Sequence, residues 1–369
     1  MWPHDVRYIG NKTRLVPFIL DVVGDVQPDA GVACDPFAGT ASVSRALKDR
    51  GWTMRSGDLL AFSYALQVAN VELDRTPRFP ARLIEDADET GAERWLSYTR
   101  LLAYLNGLPP RHGFISENYS PAGRAGAHHG RMYFTPGNAG AIDAAREQIA
   151  AWSEEERLDP ARSQFLIATL VEAADRVANT TGVYASFVKS WQPNARRQLE
   201  LRPLKPTSRR NGGRPSTAYL GEAEELVASV GTVDLLYLDP PYNERQYPAY
   251  YHVPEVIAAG WSNPPELRGK TGLIPDEALR SDWCRRDRCE AALRTLIDRS
   301  DAKHILLSYN DEGLLGAEVI AAVFREAGDE DSYRRADREY RRYRSDGDGP
   351  SRTYLRDRVR EQLHYVRRT

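Results

Sequence analysis

The stretch Asp234-Leu235-Leu236-Tyr237-Leu238-Asp239-Pro240-Pro241-Tyr242 decides the fold class of this chain. Its apolar part is rich in strand-forming residues, and two prolines follow at once. A proline has no N–H to donate and fixes its own φ, so the pair ends the strand. The next loop therefore carries a carboxylate, a backbone carbonyl and an aromatic ring at the carboxyl end of a strand, where open α/β sheets bind ligands. Acceptors beside a flat ring suit a planar base that carries an exocyclic amine.

Two further motifs lie upstream and have the same strand-then-loop form. The first runs Val32-Ala33-Cys34-Asp35-Pro36-Phe37-Ala38-Gly39-Thr40-Ala41-Ser42 and predicts a strand, a turn of small residues and a helix. Small side chains let a ligand approach the backbone closely. The second, Ser56-Gly57-Asp58-Leu59, places an acid at the end of the next strand, the usual partner of ribose hydroxyls. The glycine spacing is not that of a dinucleotide-binding loop, so a pyrophosphate is not implied.

A fourth motif is found at the N-terminus, where Arg7-Tyr8-Ile9-Gly10-Asn11-Lys12 precedes an apolar helical stretch. Together the four motifs resemble those of the Dam-type, alpha-class adenine-specific DNA methyltransferases. That family carries Tyr/Trp-x-Gly-x-Lys, Asp-Pro-Phe-x-Gly-Ser/Thr, a target-recognition insert and Asp-Pro-Pro-Tyr, in this order. The resemblance implies an enzyme that transfers a methyl group from S-adenosyl-L-methionine to the N6 amine of a flipped-out adenine in duplex DNA.

The resemblance also implies the architecture. We expect a Rossmann-like class I methyltransferase with a mostly parallel seven-stranded sheet, in which the strands leading to Cys34 and Asp239 are neighbours. The C-terminal tail should add an antiparallel hairpin, with strands near residues 340–344 and 362–366 joined by a polar loop rich in Gly, Asp and Pro. Residues 1–93 would form the N-terminal part of the catalytic domain, residues 94–214 a helical and loop-rich target-recognition insert, and residues 215–369 the C-terminal part of the catalytic domain.

Site residues follow from the same resemblance, position by position. The catalytic loop would be Asp239, Pro240, Pro241 and Tyr242: the Asp239 carboxylate and the Pro240 carbonyl would accept hydrogen bonds from the adenine amine, and Tyr242 would stack on the base. The cofactor pocket would comprise Tyr8, Gly10, Lys12, Asp35, Phe37, Gly39, Thr40, Asp58, Leu59 and Asp239.

Within the insert, the sequence predicts helices near residues 95–105, 139–152 and 161–179, and a loop at 123–130. The insert also holds the clearest basic stretch of the chain. We expect it to contact the phosphates of double-stranded DNA through Lys189, Arg196, Arg197, Arg209 and Arg210.

Composition limits the remaining choices. The formal net charge of the 369 residues is −2, so any nucleic-acid surface must be a local patch. Cys34, Cys284 and Cys289 form no metal-ligand pattern, and their odd number argues against a disulfide framework. We therefore expect no metal. The chain has no long apolar run and no signal peptide, which predicts no membrane association and a cytoplasmic, prokaryotic protein associated with the nucleoid through DNA.

Three alternatives stay open at this point. Close variants of Asp-Pro-Pro-Tyr occur in RNA adenine methyltransferases. A cytosine-N4 enzyme is less favoured, since those more often carry Ser at the position of Asp239. A catalytically silent DNA-binding subunit of the same fold is the third. A cognate restriction endonuclease is an expected partner, whereas the sequence gives neither the recognition sequence nor the oligomeric state.

Overall fold

The computed structural model describes residues 11–84, 94–209, 214–275, 277–341 and 358–368. Within them the chain divides into two compact units. The sheet unit takes in residues 11–67, 207–247 and 279–368. The helical unit takes in residues 68–206 and 248–278. Tyr8, Gly10, Arg210 and the loop expected within the C-terminal tail lie outside the described residues.

The regular elements of the described residues alternate in the sheet unit and are mostly helical in the other. The strands are β1 (Val32–Asp35), β2 (Thr53–Asp58), β3 (Phe79–Pro80), β4 (Trp95–Leu96), β5 (Thr217–Leu220), β6 (Val233–Leu238), β7 (Ala302–Asn310), β8 (Arg334–Arg341) and β9 (Arg358–Arg367). The helices are α1 (Val16–Val26), α2 (Ser42–Asp49), α3 (Ala61–Gln67), α4 (Tyr98–Asn106), α5 (Phe114–Tyr119), α6 (Arg124–His128), α7 (Pro136–Glu154), α8 (Pro160–Val177), α9 (Ala223–Ser229), α10 (Tyr247–Ala259), α11 (Cys289–Arg299) and α12 (Ala317–Ala327).

The sheet unit is built on a seven-stranded sheet with the order β5-β2-β1-β6-β7-β9-β8. Five neighbouring strands run parallel to one another: β5, β2, β1, β6 and β7. Strand β9 pairs antiparallel with both β7 and β8. The predicted Rossmann-like class, the mostly parallel sheet and the antiparallel C-terminal hairpin are therefore confirmed. The first strand of the hairpin begins at Arg334, earlier than the tyrosine- and arginine-rich run at 340–344 that predicted it.

The two motif-bearing strands are neighbours at the centre of the sheet, as predicted. Cys34 on β1 pairs with Leu236 on β6, and Leu238 at the end of β6 pairs with Leu307 on β7. Because these strands are parallel, their carboxyl ends lie at one edge of the sheet. The loops that follow β1 and β6 consequently open on the same side.

The buried position of β6 explains why its sequence is almost entirely apolar. A parallel sheet with helices on both faces buries its strands on both sides. Leu235, Leu236 and Leu238 are fully buried, and the latter two belong to a cluster that includes Cys34 and residues of α11 and α12. All three cysteines of the chain are free and buried.

Most of the helices predicted for the helical unit are present, because the sequence signals that start them are local. Thr135 caps α7 and Asp159 caps α8, each followed by a proline at the first helical position. The three predicted helices are present as α4, α7 and α8. Trp95 was expected in the first of them and lies instead in β4, since Ser97 accepts the Arg100 N–H and starts α4 after it.

The loop predicted at residues 123–130 is wrong, because residues 124–128 form the short helix α6. The Glu117 carboxylate accepts the backbone N–H groups of Arg124 and Ala125, at 3.2 and 3.1 Å, which satisfies two donors of its first turn. The cap comes from another helix, so no local pattern in the glycine-rich stretch could reveal it. Across the described parts of the chain, no helix is long and apolar enough to cross a bilayer.

Candidate active site

The loop after β6 begins with Asp239, whose side chain is 18% exposed, and Pro240, which is buried. The Tyr242 carbonyl accepts the Leu314 N–H at 3.0 Å, which ties the loop to the segment after β7. The half-buried Tyr242 ring packs against the core cluster. The loop therefore presents a carboxylate, a fixed backbone and an anchored aromatic ring at the strand end.

Lys12 lies just before α1 and reaches the same place. The Lys12 carbonyl accepts the N–H groups of Leu15 and Val16, which fixes the start of the helix. The Lys12 ammonium is buried and lies 3.0 Å from Asp239 Oδ1 and 2.5 Å from Glu361 Oε1. One cation thus bridges a carboxylate in the loop directly after β6 and a carboxylate on β9.

This bridge sets the charge state of the group. Burial alone lowers the pKa of Lys12, but the charges of Asp239 and Glu361 outweigh it and hold that pKa well above its usual value. Burial raises the pKa of Asp239 to about 7; Lys12 opposes this rise and Glu361 adds to it. The carboxylate is therefore poised to titrate near neutral pH, while Lys12 stays charged.

Glu361 is the residue of this group that the sequence motifs missed. It lies on β9 opposite Asn310, so the antiparallel pairing with β7 brings it to the strand ends. It is fully buried and also accepts the Ser308 hydroxyl at 2.5 Å. Glu361 is separated from Lys12 by 349 positions, and no spacing rule joins two such residues. The available sequence signal for this residue was a single acid in a strand made otherwise of apolar, basic and uncharged polar residues.

The turn after β1 forms a second wall of the site. Asp35 is buried and accepts the Ser44 hydroxyl at 2.6 Å, while its Oδ1 has no hydrogen-bond partner in the described structure. Gly39 and Ala41 have φ values of 52° and 63°, and Ala41 in this left-handed region is strained. Ala38, Gly39 and Ala41 give the turn small side chains, and all three residues are buried.

Asp58, at the end of β2, organises the same turn. Its Oδ2 accepts the Gly39 N–H at 2.9 Å, and its Oδ1 accepts the Leu60 N–H at 3.0 Å. Burial raises its pKa to about 6 against these hydrogen bonds. The neighbouring Leu59 is half-buried.

The carboxylates at the strand ends interact electrostatically. Burial first, and then the charges of Asp239 and Asp58, raise the pKa of Asp35 to about 7, although its hydrogen bond from Ser44 lowers it. Three acids held together at this edge favour a cationic ligand, because a positive charge relieves their mutual repulsion. In the parts of the chain that are described, no three His, Cys, Asp or Glu residues are grouped so as to hold a metal ion.

The structure brings most of the predicted cofactor and catalytic residues into the sheet unit. The Phe37 ring lies 4.9 Å from that of Trp283, and Asn11 Nδ2 lies 3.5 Å from Thr40 Oγ1. The predicted residues found in this unit are Lys12, Asp35, Phe37, Gly39, Thr40, Asp58, Leu59, Asp239, Pro240, Pro241 and Tyr242. Their roles remain predictions.

The predicted basic stretch is divided between the two units. Lys189, Arg196 and Arg197 are exposed in the helical unit, whereas Arg209 belongs to the sheet unit. The stretch at residues 188–205, here called the basic ribbon, contains neither helix nor strand. Its order must therefore come from side chains.

Two asparagines hold the basic ribbon. Asn138 on α7 donates to the carbonyls of Ala195 and Arg197, at 3.1 and 2.8 Å, and accepts the Leu199 N–H at 2.8 Å. Asn106 on α4 pairs with both backbone groups of Leu201. These side-chain hydrogen bonds take the place of the backbone hydrogen bonds that a helix or strand would have. The side chains of Arg196 and Arg197 are exposed to solvent.

The fold and this edge of the sheet define the class first: a Rossmann-like methyltransferase with Asp-Pro-Pro-Tyr after β6, the fourth parallel strand of the seven-stranded sheet in chain order. A family model described as D12 class N6 adenine-specific DNA methyltransferase matches residues 8–311. The chain belongs to that family, which confirms the family expected from the four motifs.

Known relatives agree with this assignment. Type II methyltransferase M.NlaIII of Neisseria lactamica is 33% identical over 368 residues, covering 99% of this chain and 100% of the relative. Type II methyltransferase M.FokI of Planomicrobium okeanokoites is 34% identical over 341 residues, 92% of this chain and 50% of the relative. Modification methylase StsI of Streptococcus sanguinis is 32% identical over 87% of this chain. The chain thus spans about half the length of M.FokI, and 46% of StsI.

Proposed function

We propose that this chain transfers a methyl group from S-adenosyl-L-methionine to the N6 amine of adenine in duplex DNA. The observation that carries the proposal is the bridge from Lys12 to Asp239 and Glu361, which holds a carboxylate beside the Pro240 backbone at the end of β6. Family membership supports the reaction, because the family is adenine-specific and acts on DNA.

The residues at this edge fit the cofactor. S-adenosyl-L-methionine carries an ammonium and a sulfonium, and supplies an activated methyl group when bound. The free Oδ1 of Asp35 would accept the ammonium, and Asp58 would bind the ribose hydroxyls, with Leu59 against the adenine ring. Gly39, which has a left-handed φ and no Cβ, would let the cofactor approach the backbone closely. Phe37, Thr40 and Lys12 complete the wall in this proposal.

The chemical task of Asp239 follows from the electronic structure of adenine. The lone pair of its amine is conjugated into the ring, so the amine is a poor nucleophile. Asp239 and the Pro240 carbonyl would each accept one N–H, which favours a pyramidal nitrogen. Such preorganised acceptors act mostly at the transition state. With a pKa of about 7, the Asp239 carboxylate can also receive the proton that the methylated amine loses.

The base must leave the duplex to reach this loop. Tyr242 would stack on it, a contact worth about 1–3 kcal/mol per base. Because stacking requires the ring and not the hydroxyl, Tyr242→Phe should keep most of the methylation rate, whereas Tyr242→Ala should lose it. Equal rates in both variants would remove the stacking role.

The basic ribbon would bind the DNA backbone. Lys189, Arg196 and Arg197 form no ion pair among the described residues, whereas Arg202 is bound to Glu200 at 2.6 Å. Free cations on a pre-ordered backbone can meet phosphates at little entropic cost. The phosphate contacts expected from the sequence at Arg209 and Arg210 stay predictions.

The decisive test is methyl transfer by the purified protein from labelled cofactor, with duplex DNA and RNA of the same mixed sequence offered in parallel. We expect labelled N6-methyladenine in DNA only, and none with Asp239→Ala. Label in RNA would favour the RNA alternative, and no label in either polymer would favour a silent subunit. Sequencing the DNA of an expressing host would give the recognition site.

The proposal extends to a cognate restriction endonuclease as partner. It rests on relatives named as Type II methyltransferases. Host DNA methylated by this chain should then resist an endonuclease of the same recognition sequence, which a cleavage assay would measure.

A further inference from the structure

A tight turn in the helical unit lies outside the predicted insert. Arg268 and Leu273 exchange two backbone hydrogen bonds, 2.7 Å from the Arg268 N–H and 2.9 Å from the Leu273 N–H, which closes the turn. Gly269 and Gly272 have φ values of 65° and 76°, a conformation that glycine adopts without strain. We call residues 268–273 the glycine turn.

A buried arginine holds one side of the glycine turn. Arg131 is 2% exposed; its Nη2 donates to the Gly269 carbonyl and its Nε to the Lys270 carbonyl, both at 2.9 Å, and its Nη1 donates to the Asn118 carbonyl at 3.0 Å. Within the described residues, no carboxylate forms an ion pair with Arg131. A buried cation without an anion is costly, so this geometry needs a reason.

Two tyrosines and a histidine fix the rest of the glycine turn. The Tyr119 hydroxyl donates to the Gly272 carbonyl at 2.8 Å. The Tyr133 hydroxyl lies between two carbonyls, 2.8 Å from that of Tyr184 and 3.1 Å from that of Thr271, and shares its proton between them. A ring nitrogen of His252 lies 3.2 Å from the same Thr271 carbonyl. Four successive carbonyls of the turn therefore point into the protein.

The direction of the carbonyls decides where the N–H groups point. A planar trans peptide directs its C=O and N–H to opposite sides. Because Arg131 binds the carbonyls of Gly269 and Lys270, the N–H groups of Lys270 and Thr271 point outward. Neither N–H donates to an acceptor among the described residues. Successive outward N–H groups form the concavity that binds anions in many proteins.

The charges around the glycine turn favour an anion as well. Lys270 is exposed at its tip and has no ion-pair partner in the described chain, whereas Arg268 is bound to Glu277 at 2.8 Å. Burial, followed by the charges of Arg131, His128 and Lys270, lowers the pKa of His129.

We propose that the glycine turn is a phosphate-binding site for the DNA backbone, formed by the Lys270 ammonium and the outward N–H groups of Lys270 and Thr271. Arg131 is the positioning residue that aims those groups outward. This site rests on the proposed function, because it supplies a further contact to the same DNA substrate.

The test compares Lys270→Ala with wild type in binding to a duplex that the wild type methylates, over a series of salt concentrations. Affinity should fall about three- to tenfold, as for one partly exposed charge-assisted contact. The slope of log K against log salt should flatten by about 0.9, the value for one phosphate. Arg82→Ala, an exposed cation of the same unit, is the control and should change neither quantity.

Unchanged affinity and slope for Lys270→Ala would overturn the site, while methylation by the wild type would leave the proposed function standing. Titration with inorganic phosphate alone distinguishes free phosphate from the DNA backbone as the ligand of the glycine turn. A Lys270-dependent phosphate signal with unchanged DNA binding would assign the turn to a free phosphate and overturn the DNA contact. Arg131→Met should reproduce the weaker DNA binding if it folds, with cofactor affinity unchanged.

Discussion

Replacing Glu361 with Gln tests whether the charge on β9 controls Asp239. The change keeps the size of the side chain and an oxygen that can accept from Lys12 and Ser308, but removes one negative charge. Glu361 raises the pKa of Asp239, and Lys12 lowers it. Without the Glu361 charge, the repulsion that raises the pKa of Asp239 is lost, and the Lys12 ammonium interacts with Asp239 alone. Both changes lower the pKa of Asp239.

The size of the shift follows from the bridge geometry. The bonded oxygens of Glu361 and Asp239 contact one ammonium, at 2.5 and 3.0 Å, so they lie within about 5.5 Å of each other. At an effective dielectric constant of about 20, two charges at that distance interact by about 3 kcal/mol. That corresponds to about two pH units, and relaxation of the site should leave a shift of about one to two.

The assay is single-turnover methyl transfer to a cognate duplex between pH 5.5 and 8.5, with saturating cofactor and DNA. Since Asp239 acts as a carboxylate with a raised pKa, the wild-type rate should fall as pH drops through about 7. In Glu361→Gln this acid limb should move to lower pH. Ser308→Ala, which removes a hydrogen bond without a charge, should leave it in place, as should the exposed Glu318→Gln. An unmoved or raised limb in Glu361→Gln would refute the reasoning.

Three further predictions concern the same machinery. Asp239→Asn should lower the single-turnover rate about a hundredfold or more, as for loss of one preorganised polar group, with a smaller change in cofactor affinity measured by calorimetry. Asp58→Ala should weaken cofactor binding about tenfold, because one charge-assisted bond contributes about 1.5–3 kcal/mol, and unchanged affinity would place the ribose elsewhere. Replacing Arg196 and Arg197 together with Ala should weaken binding to all duplexes and flatten the salt slope by about 1.8. The ion-paired Arg202→Ala is its matched control and should have a small effect, so equal effects would mean that the basic ribbon is only a solvated loop.

The sheet and the strand-end motifs could be predicted because their signals are local. Apolar runs end at Asp35 and at Asp239, and prolines after each acid fix where the strands stop. Parallel strands then require their loops to share one edge, which brought Cys34 and Leu236 into register. Helix caps at Thr135 and Asp159 acted in the same local way.

Contacts between distant segments could not be predicted. Glu361 reaches Lys12 only through the pairing of β9 with β7, and Asn138 orders residues near Arg196 from a helix about sixty positions away. Local propensity describes such segments as a basic strand and a solvated loop. Their function depends instead on which buried polar groups complete each other's hydrogen bonds.

Lys12 and Arg131, two of the buried cations among the described residues, illustrate how residue type decides such roles. Lys12 is a compact ammonium that couples to two carboxylates, so its environment changes the proton affinity of Asp239. Arg131 faces neutral carbonyls and remains charged under all ordinary conditions, so its planar donors can fix a turn without titrating. A lysine at position 131 would lose the fork that aligns two successive carbonyls. An arginine at position 12 would bring five donors where two oxygens share one ammonium. The same charge therefore supports acid–base tuning at one site and geometric support at the other.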